Sequence, residues 1–178
     1  MTILTTAQPV LETKRLTLRM PRKSDTGLVS LYTSDWRVAR MTSSIPHPNP
    51  PGAVEAFFET ITDPGARDMV WAIDASKGFG TEIVGLISLG SDGEVGYWIA
   101  PFFWGLGIVC EALAAVLTFA DENGRDHIWA GAFQENGASQ RVLEKSGFVW
   151  VGEIEIFSVS RDALMPSYRY ERSPGDGG

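Results

Sequence analysis

Between residues 94 and 123 the apolar spacing changes from every second residue to every third or fourth, and the change falls on a turn carrying Gly105 and Gly107. A strand of period 2 followed by a helix of period 3.6 commits a chain to a sheet packed against helices. The glycine-rich turn between them leaves backbone N–H groups free at the helix start, where the helix dipole also favours negative charge. The turn therefore reads either as a phosphate site or as a plain tight turn. It is not the dinucleotide fingerprint, because the third glycine is absent and Ala112 falls two residues beyond its place, and no Walker lysine follows.

The remaining segments extend this pattern in both directions. Residues 16–20 alternate as a half-buried strand, and Ser24 and Asp25 offer a cap for a helix to about residue 32, with a short helix over 35–41. Four prolines make 45–51 a loop, and Val54, Phe57, Phe58 and Ile61 fall at helical spacing. Residues 69–74, 82–89 and 94–100 read as an antiparallel meander. After the long helix, which stops at Asn123 and Gly124, come a strand over 128–133, a helix over 136–146 with Gly147 at its left-handed end, and strands over 148–159 and 167–172. The order predicts one α+β (mixed α/β) domain over 1–178, with flexible tails at about 1–10 and 173–178.

Composition excludes several function classes. At 178 residues, 44% hydrophobic and 21% charged, the chain buries a core and is neither disordered nor fibrous. The net charge of −7 disfavours nucleic acid as a partner and attracts cationic acceptors, although acidity also serves solubility. No apolar run approaches a membrane span of roughly 20 residues and no export signal is evident, so a cytoplasmic protein without a membrane partner is expected. The single cysteine, Cys110, has no Cys/His cluster around it, and no metal is expected.

The segment Asn136-Gly137-Ala138-Ser139-Gln140-Arg141-Val142-Leu143-Glu144-Lys145-Ser146-Gly147-Phe148, taken with Glu12 to Arg19, Gly96 to Pro101 and the Gly105/Gly107 turn, resembles the GNAT acetyltransferase superfamily, more narrowly its RimJ/RimL-like branch. The resemblance spans nearly the whole chain. It implies a central mixed, mostly antiparallel sheet flanked by helices, with a splay between the fourth strand, ending at Ala100, and the fifth, starting near Ile128. It also implies transfer of acetyl from acetyl-CoA to a primary amine by direct attack in a ternary complex, by a monomer or homodimer. The acceptor would be a small molecule or a peptide N-terminus. The pyrophosphate would lie on Trp104, Gly105, Leu106, Gly107, Ile108 and Val109, and the pantetheine amides would pair with strand groups left open by the splay. A backbone N–H near Ile99 then faces the thioester carbonyl.

The chain also departs from the superfamily pattern. Trp104 replaces the first polar residue of the turn, as is usual in this branch, while Leu106 stands where a lysine is common and Val109 where a small residue is. The tyrosine that often protonates the leaving thiolate is replaced by Leu143. Ser139 is the nearest alternative donor, or else an ordinary first-turn serine. Asn136 is a helix cap, a pantetheine ligand, or both. Glu94 matches an acidic residue frequent at this place in the branch and suits a general base, or is a solvated strand end. Arg141 and Lys145, four apart, are partners for the 3'-phosphate or a solvated face. Glu111 reads as structural. A non-catalytic acyl-CoA-binding or regulatory module is the competing function.

Overall fold

The computed structural model describes residues 8–173. Its frame is a five-stranded antiparallel sheet, ordered β1 (Leu11–Glu12), β2 (Thr17–Arg19), β3 (Met69–Ala75), β4 (Thr81–Leu89) and β5 (Val95–Ile99). A second, three-stranded sheet is ordered β6 (Ile128–Phe133), β8 (Ala163–Arg172) and β7 (Val149–Ser158). The expected tails lie largely outside the described residues. Gln8 and Pro9, which are described, are tied to β3 through Val70 and the Trp71 indole.

β3 is buried on both faces, and its alternation divides the core. Trp71, Ile73 and Ala75 join the larger cluster under α5 (Ile108–Glu122) and α6 (Gly137–Lys145). Val70 and Ala72 join the smaller one under α1 (Thr26–Thr33) and α3 (Ala53–Thr62). Two short helices, α2 (Trp36–Ala39) and α4 (Ser76–Phe79), complete the set. Along α5, Ala112, Leu113, Val116 and Ala120 are inaccessible, and each large side chain among them contributes about 1.5–3 kcal/mol by leaving water. That stripe fixes how the helix start sits above the sheet.

The two sheets meet at one parallel bridge, Glu94 with Trp129, supported by the Trp129 N–H donating to the Gly93 carbonyl at 3.0 Å. Beyond that bridge β5 and β6 part, which is the splay between the fourth and fifth predicted strands. Gly93 makes the joint: its φ is +90°, and a Cβ there would lie 2.1 Å from the His127 carbonyl oxygen.

Three differences from the sequence reading have local causes. β1, two residues long, is too short to carry a periodicity. α4 is a single turn between strands. β8 begins at Ala163 rather than 167 because Pro166, which argues against a central strand, directs its carbonyl to Gln134 just past the end of β6. Its missing N–H faces the same side and costs no ladder bond.

Candidate active site

The splay opens onto the turn that follows β5. Ala100 donates its N–H to the Val84 carbonyl at 2.8 Å, so by alternation the backbone groups of Ile99 and Tyr97 face away from β4 and into the splay. Pro101–Phe103 forms one 3-10 turn. The Trp104 indole then donates to the Ile99 carbonyl at 2.9 Å and ties the turn back to the strand. Gly105 and Gly107 take φ of +75° and +74°, a conformation that side chains with a Cβ adopt only under strain. The first bond inside α5 runs from the Glu111 N–H to the Gly107 carbonyl, which leaves the N–H groups of Ile108, Val109 and Cys110 without helical acceptors.

The turn has a cation despite Leu106. Arg15 places its guanidinium 3.5 Å from where a Cβ on Gly107 would stand, and it packs over the Phe79 ring. Glu111 holds it through a 2.6 Å ion pair while also accepting from Thr13 and from the Arg15 N–H. Burial raises the Glu111 pKa, and these hydrogen bonds more than reverse it, so the net shift is downward. Glu111 is structural, as its place in the first turn of α5 suggested.

Across the splay, Asn136 caps α6, accepting from the Ser139 N–H at 3.2 Å. The Ser139 hydroxyl lies 2.8 Å from the Tyr97 hydroxyl, which reaches over from β5. Burial pushes the Tyr97 phenol up to about 12. Leu143 is inaccessible in the core and offers no proton donor. Arg141 folds back over the start of α6, its guanidinium 3.3 Å from a Cβ position on Gly137.

Tyr97, Ile99, the turn from Trp104 to Val109, Asn136, Ser139 and Arg141 line one cleft of about 1440 Å³, more than the roughly 300–1,000 Å³ of one small-molecule site. The structure brings together every sequence-predicted site residue: Glu94, Ile99, the turn from Trp104 to Val109, Asn136, Ser139 and Arg141. Glu94 is exposed at the cleft wall. Partial desolvation of its carboxyl, with the like charges of Asp92 and Asp68 nearby, raises its pKa above the ordinary carboxylate value, and Arg169 opposes the shift. Lys145 lines the cleft as well, and Cys110 is half-buried beside the turn. His47 packs on the Trp36 ring, and His127 lies at the surface 3.7 Å from Glu171.

The far arm of the cleft is walled by Arg37 and Met41, the loop around Ile45, Phe57 and Ile61 of α3, and Ile156 of β7. The β7–β8 turn clasps this wall: Val159 donates to the Ser43 carbonyl at 2.9 Å and Arg161 to the Arg40 carbonyl at 3.1 Å. Arg161 also pairs with Glu135, whose other oxygen lies 3.6 Å from Arg40. Sequence reading missed Tyr97, Arg15 and this wall. Tyr97 carried one signal, two residues before Ile99 on the same side of a strand bordering the splay. Arg15 carried none, being 92 positions from Gly107. Among the described residues no group of three His, Cys, Asp or Glu is placed to hold a metal, and no helix is long and apolar enough to cross a membrane.

Residues 15–149 match the family model described as an acetyltransferase (GNAT) domain. No curated protein matches the chain by sequence. Among solved structures, an acetyltransferase (GNAT family) from Bacillus anthracis superposes with a TM-score of 0.77 at 22% identity, over 93% of this chain and 98% of that one. The microcin C7 self-immunity acetyltransferase MccE, solved with acetyl-CoA and AMP, gives 0.77 at 16% over 90% and 93%. RimL, the ribosomal L7/L12 α-N-protein acetyltransferase solved with coenzyme A, gives 0.75 at 17% over 96% and 100%. At these identities the likeness speaks for the fold.

Proposed function

The chain belongs to the GNAT acetyltransferase family, and on that premise we propose that it moves acetyl from acetyl-CoA to a primary amine by direct attack in a ternary complex within the splay. One observation carries the reading: β5 and β6 part immediately beside an uncapped helix start, so unpaired strand N–H groups and a phosphate-ready turn open onto one cleft. The pyrophosphate rests on the N–H groups of Trp104 to Val109, with Arg15 supplying the positive charge that Leu106 lacks. Arg141 serves the phosphates from the other wall. The Ile99 N–H donates to the thioester oxygen as negative charge gathers there.

Glu94 takes one proton from the alkylammonium, directly or through water, and its raised pKa suits that task. The free amine attacks the thioester carbon, forming the C–N bond. When the C–S bond breaks, its electron pair goes to sulfur. The Ser139 hydroxyl gives its proton to sulfur and takes one from the cationic nitrogen, so the products are an amide and a thiol, with one proton left on Glu94 for solvent.

Besides its apolar wall and the cations Arg37 and Arg40, the cleft lining carries Asp68, Asp92 and Glu94, which suits an amine carried on a partly apolar group. We read this as a protein or peptide α-amine, in line with the RimJ/RimL-like branch. A half-buried free thiol beside a thioester substrate fits a reducing, cytoplasmic setting. A thiol-release screen with acetyl-CoA over N-terminal peptides, aminoglycosides, polyamines and amino acids tests the reading. Turnover on peptides is expected. Turnover confined to another class replaces the acceptor, and CoA binding without turnover on any amine favours the non-catalytic module.

A further inference from the structure

We propose that Tyr97 is the positioning residue of the acid: its phenol donates to the Ser139 oxygen and so turns the Ser139 hydroxyl proton toward the splay, where the thiolate departs. The inference rests on the acid role given to Ser139 above and extends it to a residue on the opposite wall.

Tyr97 stands on β5, two residues before Ile99, and its ring packs against the core under α5 and α6. Its hydroxyl meets Ser139 twice, at 2.8 Å to the side-chain oxygen and at 3.4 Å to the carbonyl oxygen. Both side chains line the cleft. The 2.8 Å contact permits either group to donate, and the inventory of partners decides between them. A half-buried phenol that keeps its proton favours a protein acceptor, and the Ser139 side-chain oxygen is the close one. If Ser139 donated instead, its proton would be occupied, and the phenol would be left with the long carbonyl contact. With Tyr97 donating, one lone pair of the serine oxygen is filled, the other stays available to the substrate nitrogen, and the hydroxyl proton is free to point at sulfur.

Tyr97 acts through Ser139: its hydroxyl is engaged by the Ser139 side-chain oxygen at 2.8 Å, and burial keeps the phenol protonated.

The test is a double-mutant cycle of Tyr97→Phe and Ser139→Ala, measured in the full chain with acetyl-CoA and whichever amine gives turnover. Tyr97→Phe removes one oxygen from the core and keeps the ring, and a thermal melt close to wild type verifies the fold. It should lower kcat about 3- to 10-fold, with KM for acetyl-CoA unchanged, and the loss should vanish in the Ser139→Ala background. An equal loss in both backgrounds, no loss at all, or a raised KM with normal kcat overturns the proposal. If Ser139→Ala alone changes nothing, the acid role of Ser139 falls and this inference with it. If Ser139→Ala is slow and Tyr97→Phe is not, only this inference falls.

Discussion

Ser139 and Glu94 face the same cleft with opposite environments. The serine is half-buried, bonded through its N–H to Asn136 and through its hydroxyl to Tyr97, and a leaving thiolate near pKa 8 to 9 needs only modest help. Ser139→Ala should therefore lower kcat by about 10- to 100-fold with CoA affinity nearly unchanged, which steady-state kinetics and calorimetry separate. A fall in CoA affinity at normal kcat would assign the serine to binding. The carboxyl of Glu94 is pushed above its ordinary pKa, so the acidic limb of kcat/KM should lie above that value and disappear in Glu94→Gln, with a loss of about 10- to 10⁴-fold. A limb that persists unmoved places the base elsewhere. The sign of the same shift bears on stability. A raised folded pKa favours folding only while the group is protonated, so at pH 7 Glu94→Gln should unfold at a urea midpoint no lower than wild type. Each of the two residues lies beside a local signal, a strand start or a helix cap, but it was the family resemblance that singled both out as site candidates. Tyr97 was read only as a strand residue, since its partner lies 42 positions away and no local spacing reports such a pair.

At the scale of elements, the turn from Trp104 to Val109 and the joint at Gly93 carry the account. Gly107 sits at a left-handed φ next to Arg15, so Gly107→Glu adds strain, bulk and a negative charge where the pyrophosphate should lie. Calorimetry should find CoA binding weakened at least about 10-fold in a folded Gly107→Glu protein, and unchanged affinity would move the phosphates elsewhere. Gly93 tests the splay itself. A Cβ there collides with the His127 carbonyl, so Gly93→Ala must shift β6 against β5, and it should cost about 1–3 kcal/mol in urea unfolding while lowering CoA affinity. Retained stability and affinity would mean that the joint does not set the cleft. The long periodic elements, such as α5 and the β3–β4–β5 meander, were legible because burial of one face repeats along them. β1 and the start of β8 were not, because two residues hold no period and Pro166 argues against a strand that its position past the end of β6 tolerates.

Across the whole molecule, the packing of sheet and helices depends on a buried ion group as well as on apolar cores. Arg19, nearly inaccessible, bonds Asp25 at 2.8 and 2.9 Å and Asp74 at 2.9 Å, linking β2, the segment before α1 and β3. Burial raises the pKa of both carboxyls, and their hydrogen bonds and the Arg19 charge outweigh it, so both sit below the ordinary value. Groups depressed in this way contribute stability that is complete above the unfolded value near 3.9 and is lost as pH falls through the folded ones. Urea midpoints should hold steady from pH 7 to about 5 and fall below about 4, with a shallower fall in Asp25→Asn, which itself should cost about 3–5 kcal/mol at pH 7. A fall equally steep in that variant would assign acid sensitivity to other carboxylates. The central claim is that one cleft holds acetyl-CoA and completes transfer to an amine. It is tested most directly by following thiol release and acceptor mass together, for wild type and Gly107→Glu at equal concentration. The account predicts one thiol released per acetyl group gained by wild type and a near-silent variant. Thiol release that leaves every amine unmodified, or equal turnover by the variant, would contradict it.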